Sequence, residues 1–154
     1  MISLLRARKR TLNVLLSLSA IGLEVFYRIC AGSCSYLRGS VFGVDLTYVG
    51  ILFALLLIVL NLLKRDLIIL ILLSAGVGVE IVLVAFQVRH DVYCPYCLAF
   101  AGIVLLLFVL NVDVRRKLLI ALAVVTGFLA FTLFFKGSVV PTYSLIAPRL
   151  TNIS

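Results

Sequence analysis

Charged residues cut this chain into five apolar runs, and each run is long enough to cross a bilayer. They cover about 11–27, 47–63, 67–88, 95–112 and 118–135. Each holds roughly 17–22 residues, which as helix at about 1.5 Å per residue approaches the ~30 Å of a hydrocarbon core. None alternates with period two, so a membrane β-barrel is not expected. A helix closes its own backbone hydrogen bonds, as a medium without water requires. Composition agrees: 64% of the 154 residues are hydrophobic and 13% are charged, against about 45–50% and about 25% in an ordinary soluble domain. A globule of this size cannot cover its surface with so few polar groups. A typical soluble enzyme, a disordered chain and a nucleic-acid-binding domain are thereby excluded.

The expected fold is all-α and integral to the membrane, with a four-helix bundle core plus a fifth transmembrane helix. Its segments are an N-terminus at 1–10, the core at 11–112, a loop and fifth helix at 113–135, and a tail at 136–154. Basic residues in short connections set orientation. Arg6, Arg8, Lys9, Arg10, Lys64, Arg65, Arg115, Arg116 and Lys117 fall on one side and make up nine of the 14 basic residues. That side is expected to be cytoplasmic, with the N-terminus inside and the C-terminus outside. The +8 net charge thus reads as a topology signal, and no nucleic-acid partner is expected. The first run has the basic start of a signal peptide, but Glu24 and Arg28 interrupt its end and no small-residue cleavage site follows. It reads as an uncleaved helix.

All four cysteines fall at the outer face under this topology. Cys30 and Cys34 follow the first helix; Cys94 and Cys97 open the fourth. Two structural disulfides are one reading, and a four-cysteine zinc site is another, since both spacings are near those of zinc ligands. The third reading is redox. Cys94-Pro95-Tyr96-Cys97 is a C-x-x-C whose proline suits a first helical turn. Unpaired amides and partial positive charge at a helix N-terminus favour thiolate over thiol.

The chain resembles the vitamin K epoxide reductase family, in particular its prokaryotic disulfide-forming homologues. The resemblance covers roughly 10–112. It rests on the pair Cys30 and Cys34, on Phe42-Gly43 with Gly50 seven residues further on, and on Cys94-Pro95-Tyr96-Cys97-Leu98. Asp45 stands where prokaryotic members often have proline. Leu46 and Ala101 stand where the animal enzymes have an asparagine and a tyrosine facing the quinone. Vitamin K epoxide is therefore not implied as a substrate, while the thiol chemistry is.

The resemblance implies a multi-pass cell-membrane oxidoreductase with its active cysteines on the extracytoplasmic side. Electrons would pass from a thioredoxin-like extracytoplasmic partner, expected as a separate chain, to Cys30/Cys34. From there they would pass to Cys94/Cys97, and then to a quinone of the ubiquinone or menaquinone type, with no metal. Cys30 would form the mixed disulfide with the partner, Cys34 would attack Cys94, and Cys97 would face the quinone. Candidate quinone contacts are Ser40, Phe42, Asp45, Thr47, Tyr48 and Phe100. Glu80, a carboxylate deep in the third run, is a possible proton path, with Gln87 on the same helix face. Glu24 is expected to pair with Arg28 one turn later, and His90 is a candidate partner for a Cys94 thiolate. Gly76 and Gly78 are expected at a close helix contact. The alternatives are a DsbB-type disulfide generator, whose C-x-x-C lies in the first outer loop, and a non-enzymatic membrane scaffold with structural disulfides.

Overall fold

The computed structural model describes residues 2–29 and 37–139. Five α-helices account for most of them: α1 (Ile2–Ile29), α2 (Leu46–Leu62), α3 (Asp66–His90), α4 (Pro95–Asn111) and α5 (Lys117–Phe134). A single 3-10 turn, Val114–Arg116, leads into α5. Three helical segments are long and apolar enough to cross a membrane: Arg8–Ile29, Asp66–His90 and Val114–Phe134. α2 and α4 are apolar but have 17 residues each, about 25 Å at 1.5 Å per residue. A capping residue marks each start. Asp45 accepts the Thr47 N–H at 3.0 Å to begin α2, and Cys94 caps α4 ahead of Pro95.

Large apolar side chains point outward along these helices. Leu52, Val109, Leu122 and Leu133 are each at least 60% exposed, a surface that suits lipid and not water. Inside, α1 to α4 share an apolar interior. Ala20, Ala54, Phe100 and Val104 form one buried cluster. Leu57, Ile69, Leu73 and Leu107 form a second. α5 contributes to neither cluster and packs on α3. A side chain at Gly78 would run into the backbone of Val124 and Phe128, and one at Gly127 into that of Ala75. The two backbones therefore touch, as in small-residue contacts between membrane helices. Gly76 differs: it faces the Phe53 ring of α2.

At the end carrying the basic connections, three asparagines meet in the interior. Asn13 donates to Asn61 at 3.1 Å and to Asn111 at 3.0 Å, and Asn111 donates back to Asn13 at 3.0 Å. Asn61 and Asn111 also donate to the carbonyls of Leu57 and Leu107, one turn earlier. Asn13 is 2% exposed, so this knot ties α1, α2 and α4 where lipid offers no competing partner.

The opposite end holds a feature that the helical reading did not include. Strands β1 (Leu37–Val41), β2 (Val44–Asp45) and β3 (Phe135–Val139) form an antiparallel sheet in the order β2-β1-β3. β1 and β2 are joined by Phe42 and Gly43, with φ of 54° and 81°. Two consecutive positive φ values are what a two-residue hairpin turn needs to follow strand twist. Glycine takes that conformation freely; phenylalanine rarely does. The beginning of the expected tail at 136–154 is therefore a strand, and residues 140–154 lie outside the described residues.

Candidate active site

α3 ends where Asp91 turns left-handed at φ 52° and its N–H bonds back to the Gln87 and Val88 carbonyls. A short turn then reaches Cys94, the N-cap of α4. The first helical bond runs from Leu98 N–H to the Cys94 carbonyl at 3.1 Å. The Cys94 N–H itself is taken by the side-chain oxygen of Gln87 at 2.9 Å. Gln87 is 1% exposed, so α3 fixes the capping cysteine from inside the protein.

Cys94 and Cys97 are both free thiols, Cys94 buried and Cys97 partly exposed. The Cys97 N–H points at the Cys94 sulfur across 3.4 Å. The largest influence on Cys94 is the Cys97 thiol, which donates a hydrogen bond to it. Burial opposes ionisation, and the Cys97 and Tyr96 N–H groups favour it. The balance lowers Cys94 to about 6. The shift favours the thiolate, the nucleophilic form.

Tyr96, inside the C-x-x-C, lies against the last turn of α1. Its ring centroid is 5.8 Å from Phe26 and 5.9 Å from Tyr27. The last turn of α1, which ends at Ile29, thus lies beside the C-x-x-C. Cys30 and Cys34 themselves lie outside the described residues.

The other expected residues separate into groups. Asp45, Thr47 and Tyr48 gather at the end of α1. Arg28 approaches Asp45 at 3.4 Å and sits 4.6 Å over the Tyr48 ring. This corrects the expected Glu24–Arg28 pair: Arg28 turns outward to α2, and the Glu24 carboxylate packs on Gly50, where a Cβ would lie 2.9 Å from its Oε1. Asp45 is engaged as ion-pair partner and helix cap, and Thr47 is buried. Ser40 lies in the sheet, opposite Asp45 on one side and Lys136 on the other. Phe42 stacks on Phe134 of α5 at 4.2 Å. Phe100 is packed in the cluster with Ala20 and Ala54. The structure thus does not bring the six candidates into one pocket.

Glu80 is 7% exposed inside α3. His90 stacks on Phe86 at 4.3 Å. The residue that sequence reasoning undervalued is Gln87, noted only for sharing a face with Glu80. Its signal was a buried-type amide seven residues before Cys94, within one helix end and one turn. No family model, curated protein or solved structure matches this chain.

Proposed function

We propose that the chain is a membrane thiol–quinone oxidoreductase that oxidises a thioredoxin-like protein, as its resemblance to prokaryotic vitamin K epoxide reductase homologues implies. The observation that carries this reading is Cys94. It caps an apolar helix, takes the Cys97 N–H on its sulfur at 3.4 Å and is paired with a second free thiol one turn along. In this reading all five helices cross the bilayer, with the N-terminus inside, the C-terminus outside, and the four cysteines on the extracytoplasmic side. The sheet supports that arrangement. It joins the α1–α2 connection to the segment after α5, and Phe135 of that segment meets Phe86 near the end of α3. All three places then share one end of the molecule.

The first two steps each exchange one disulfide for another. The partner's dithiol reduces the Cys30–Cys34 disulfide and leaves as a disulfide. Cys34 then attacks Cys94, and the Cys94–Cys97 disulfide becomes a dithiol as Cys30–Cys34 re-forms. Cys94 and Cys97 finally give two electrons to a quinone, re-forming their own disulfide. Formation of the quinol takes up two protons. Cys97 carries one; Cys94, as a thiolate, carries none. The second comes from another acid, for which the buried Glu80 is the candidate. Cys97 suits the last step because it is partly exposed on a helix whose outer face is apolar.

The test is quinone reduction by purified protein with a reduced thioredoxin-like donor. Cys97→Ser is expected to abolish it. Cys30→Ser is expected to abolish donor-driven turnover. Normal turnover by Cys97→Ser would sink the assignment.

A further inference from the structure

At the end of the molecule away from Cys94 and Cys97, a cavity of about 130 Å³ opens where two helices begin. Lys9, Arg10, Asn13 and Asp66 line it. The first three belong to α1, and Asp66 is the first residue of α3. α1 packs mainly on α2 and α4, and α3 mainly on α5 and α4. The cavity thus lies between two helices that scarcely meet. Both are long and apolar enough to cross a membrane, and those spans start at Arg8 and Asp66. The start of a span lies at the level of the lipid headgroups.

Asn13 is buried, and its two amide hydrogens are already given to Asn61 and Asn111. Recognition therefore falls to the three charges. Lys9 and Asp66 are exposed, and Arg10 is half-buried. Among the described residues the ion pairs are Arg28–Asp45 and Arg116–Asp113. Two cations and a carboxylate thus share one cavity without pairing with each other.

That mixture of signs selects the ligand. A simple anion gains nothing from a carboxylate on the wall of its site, because like charges repel. A ligand with a phosphate and an ammonium a few bonds apart uses all three groups. Lys9 and Arg10 donate to the phosphate oxygens, and Asp66 accepts from the ammonium. A primary ammonium suits Asp66 because it carries N–H donors. Quaternary choline is held by aromatic cages, and none of the lining residues is aromatic. The volume is below the ~300 Å³ at which pockets for whole drug-sized ligands begin, so it suits a headgroup. Just beyond it, Leu12 and Leu15 of α1 and Leu67, Ile68 and Ile71 of α3 are exposed, an apolar surface for acyl chains. We propose that this cavity binds the phosphoethanolamine headgroup of a membrane lipid, with Lys9 and Arg10 on the phosphate and Asp66 on the ammonium.

The test is lipid binding by the full-length protein in detergent, read by native mass spectrometry. Dioleoyl phosphatidylethanolamine is compared with the phosphatidylcholine and phosphatidylglycerol of the same chains. The ethanolamine lipid is expected to bind about 10-fold more tightly than either, the effect of one hydrogen bond to a charged group. Lys9→Gln/Arg10→Gln should weaken its binding about 5-fold for each cation removed. Asp66→Asn, which keeps the size of the side chain, should bring the ethanolamine lipid down to the level of the glycerol lipid and leave the glycerol lipid no weaker. Arg115→Gln/Lys117→Gln, outside the cavity, should change neither. Soluble phosphoethanolamine and inorganic phosphate separate the sources, and neither should displace the lipid when present at the lipid's own concentration. Displacement by phosphoethanolamine would make the ligand a soluble phosphoamine and overturn the membrane source. Displacement by inorganic phosphate, or equal binding of the ethanolamine and glycerol lipids, would make the cavity a plain anion site and overturn the proposal. An Asp66→Asn protein that keeps the ethanolamine preference overturns it too, since the carboxylate would then serve only the start of α3.

Discussion

The side-chain oxygen of Gln87 accepts the backbone N–H of Cys94 at 2.9 Å. A cysteine at a helix N-cap uses its side chain to meet the helix, and its own amide is left for the preceding segment to satisfy. Here a buried amide one loop earlier does so. The chemistry of the fourth helix is thereby tied to the third.

Gln87→Leu removes that acceptor and leaves the Cys94 N–H buried without a partner, at a cost of about 1–3 kcal/mol. A lower Tm in detergent is expected, with a slower quinone-coupled rate because Cys94 is no longer held. Gln87→Glu keeps an acceptor and should recover most of the rate. Equal rates for Gln87→Leu and the unaltered protein would remove Gln87 from the site.

Cys94 is lowered to about 6 chiefly by the Cys97 thiol. Its reaction with iodoacetamide should therefore rise with pH to half-maximum near 6. Cys97→Ala removes the main donor and should move that midpoint upward. The folded value lies below that of a free thiol, so the ionised form stabilises the reduced protein. That contribution is complete above the free-thiol value and fades as pH falls through about 6. The Cys94–Cys97 potential follows the same logic. It should change by about 59 mV per pH unit below 6, where two protons accompany two electrons, and by about 30 mV above it, where one does. A single slope from pH 5 to 8 would contradict an ionised Cys94.

Gly127→Val places two methyl groups against the Ala75 backbone. Overpacking of a tight contact costs about 1–3 kcal/mol and sometimes more. Since backbone and not a flexible side chain is in the way, the upper end is expected, read as a large drop in Tm or in the yield of monodisperse protein. Gly102→Ala is the control. Nothing lies within 4 Å of a Cβ there, and alanine also favours helix over glycine.

Asn13→Leu breaks the contacts to Asn61 and Asn111 at the far end from the cysteines. Hydrogen bonds between membrane helices contribute about 0.6–2 kcal/mol each, so stability should fall by about 1–3 kcal/mol. The midpoint of Cys94 alkylation should not move. A shifted midpoint would mean that the two ends are coupled through the helices.

The helices were legible because charge is costly in hydrocarbon, and so the charged residues bound the apolar runs. The runs 47–63, 67–88, 95–112 and 118–135 fall within about two residues of α2 to α5. α1 was underestimated. Arg6 to Arg10 end a membrane span but do not break a helix, and α1 continues through them from Ile2. The sheet was not legible, because five-residue strands centred on glycine carry no alternation to read. Only the match between residues 37–41 and 135–139 hinted at it. The site was legible where it is local. The cap, the proline and the thiol pair all lie within Cys94 to Cys97. Contacts across the chain were not. The i, i+4 rule matched Arg28 with Glu24, whereas the fold offers Asp45 from the next element. Phe42 and Phe100 read as ring contacts for a ligand, yet the fold gives them Phe134 and the Ala20 cluster.

The pairing of Val41 with Phe135 also sets an order in time. A ribosome adds about 5–20 residues per second, so β1 emerges several seconds before β3 exists. Throughout that interval the edge of β1 that will receive β3 has no partner strand. It is completed only after α5 has been made. A nascent chain that stalls between Cys97 and Phe135 carries the whole C-x-x-C but lacks the strand that pairs with β1.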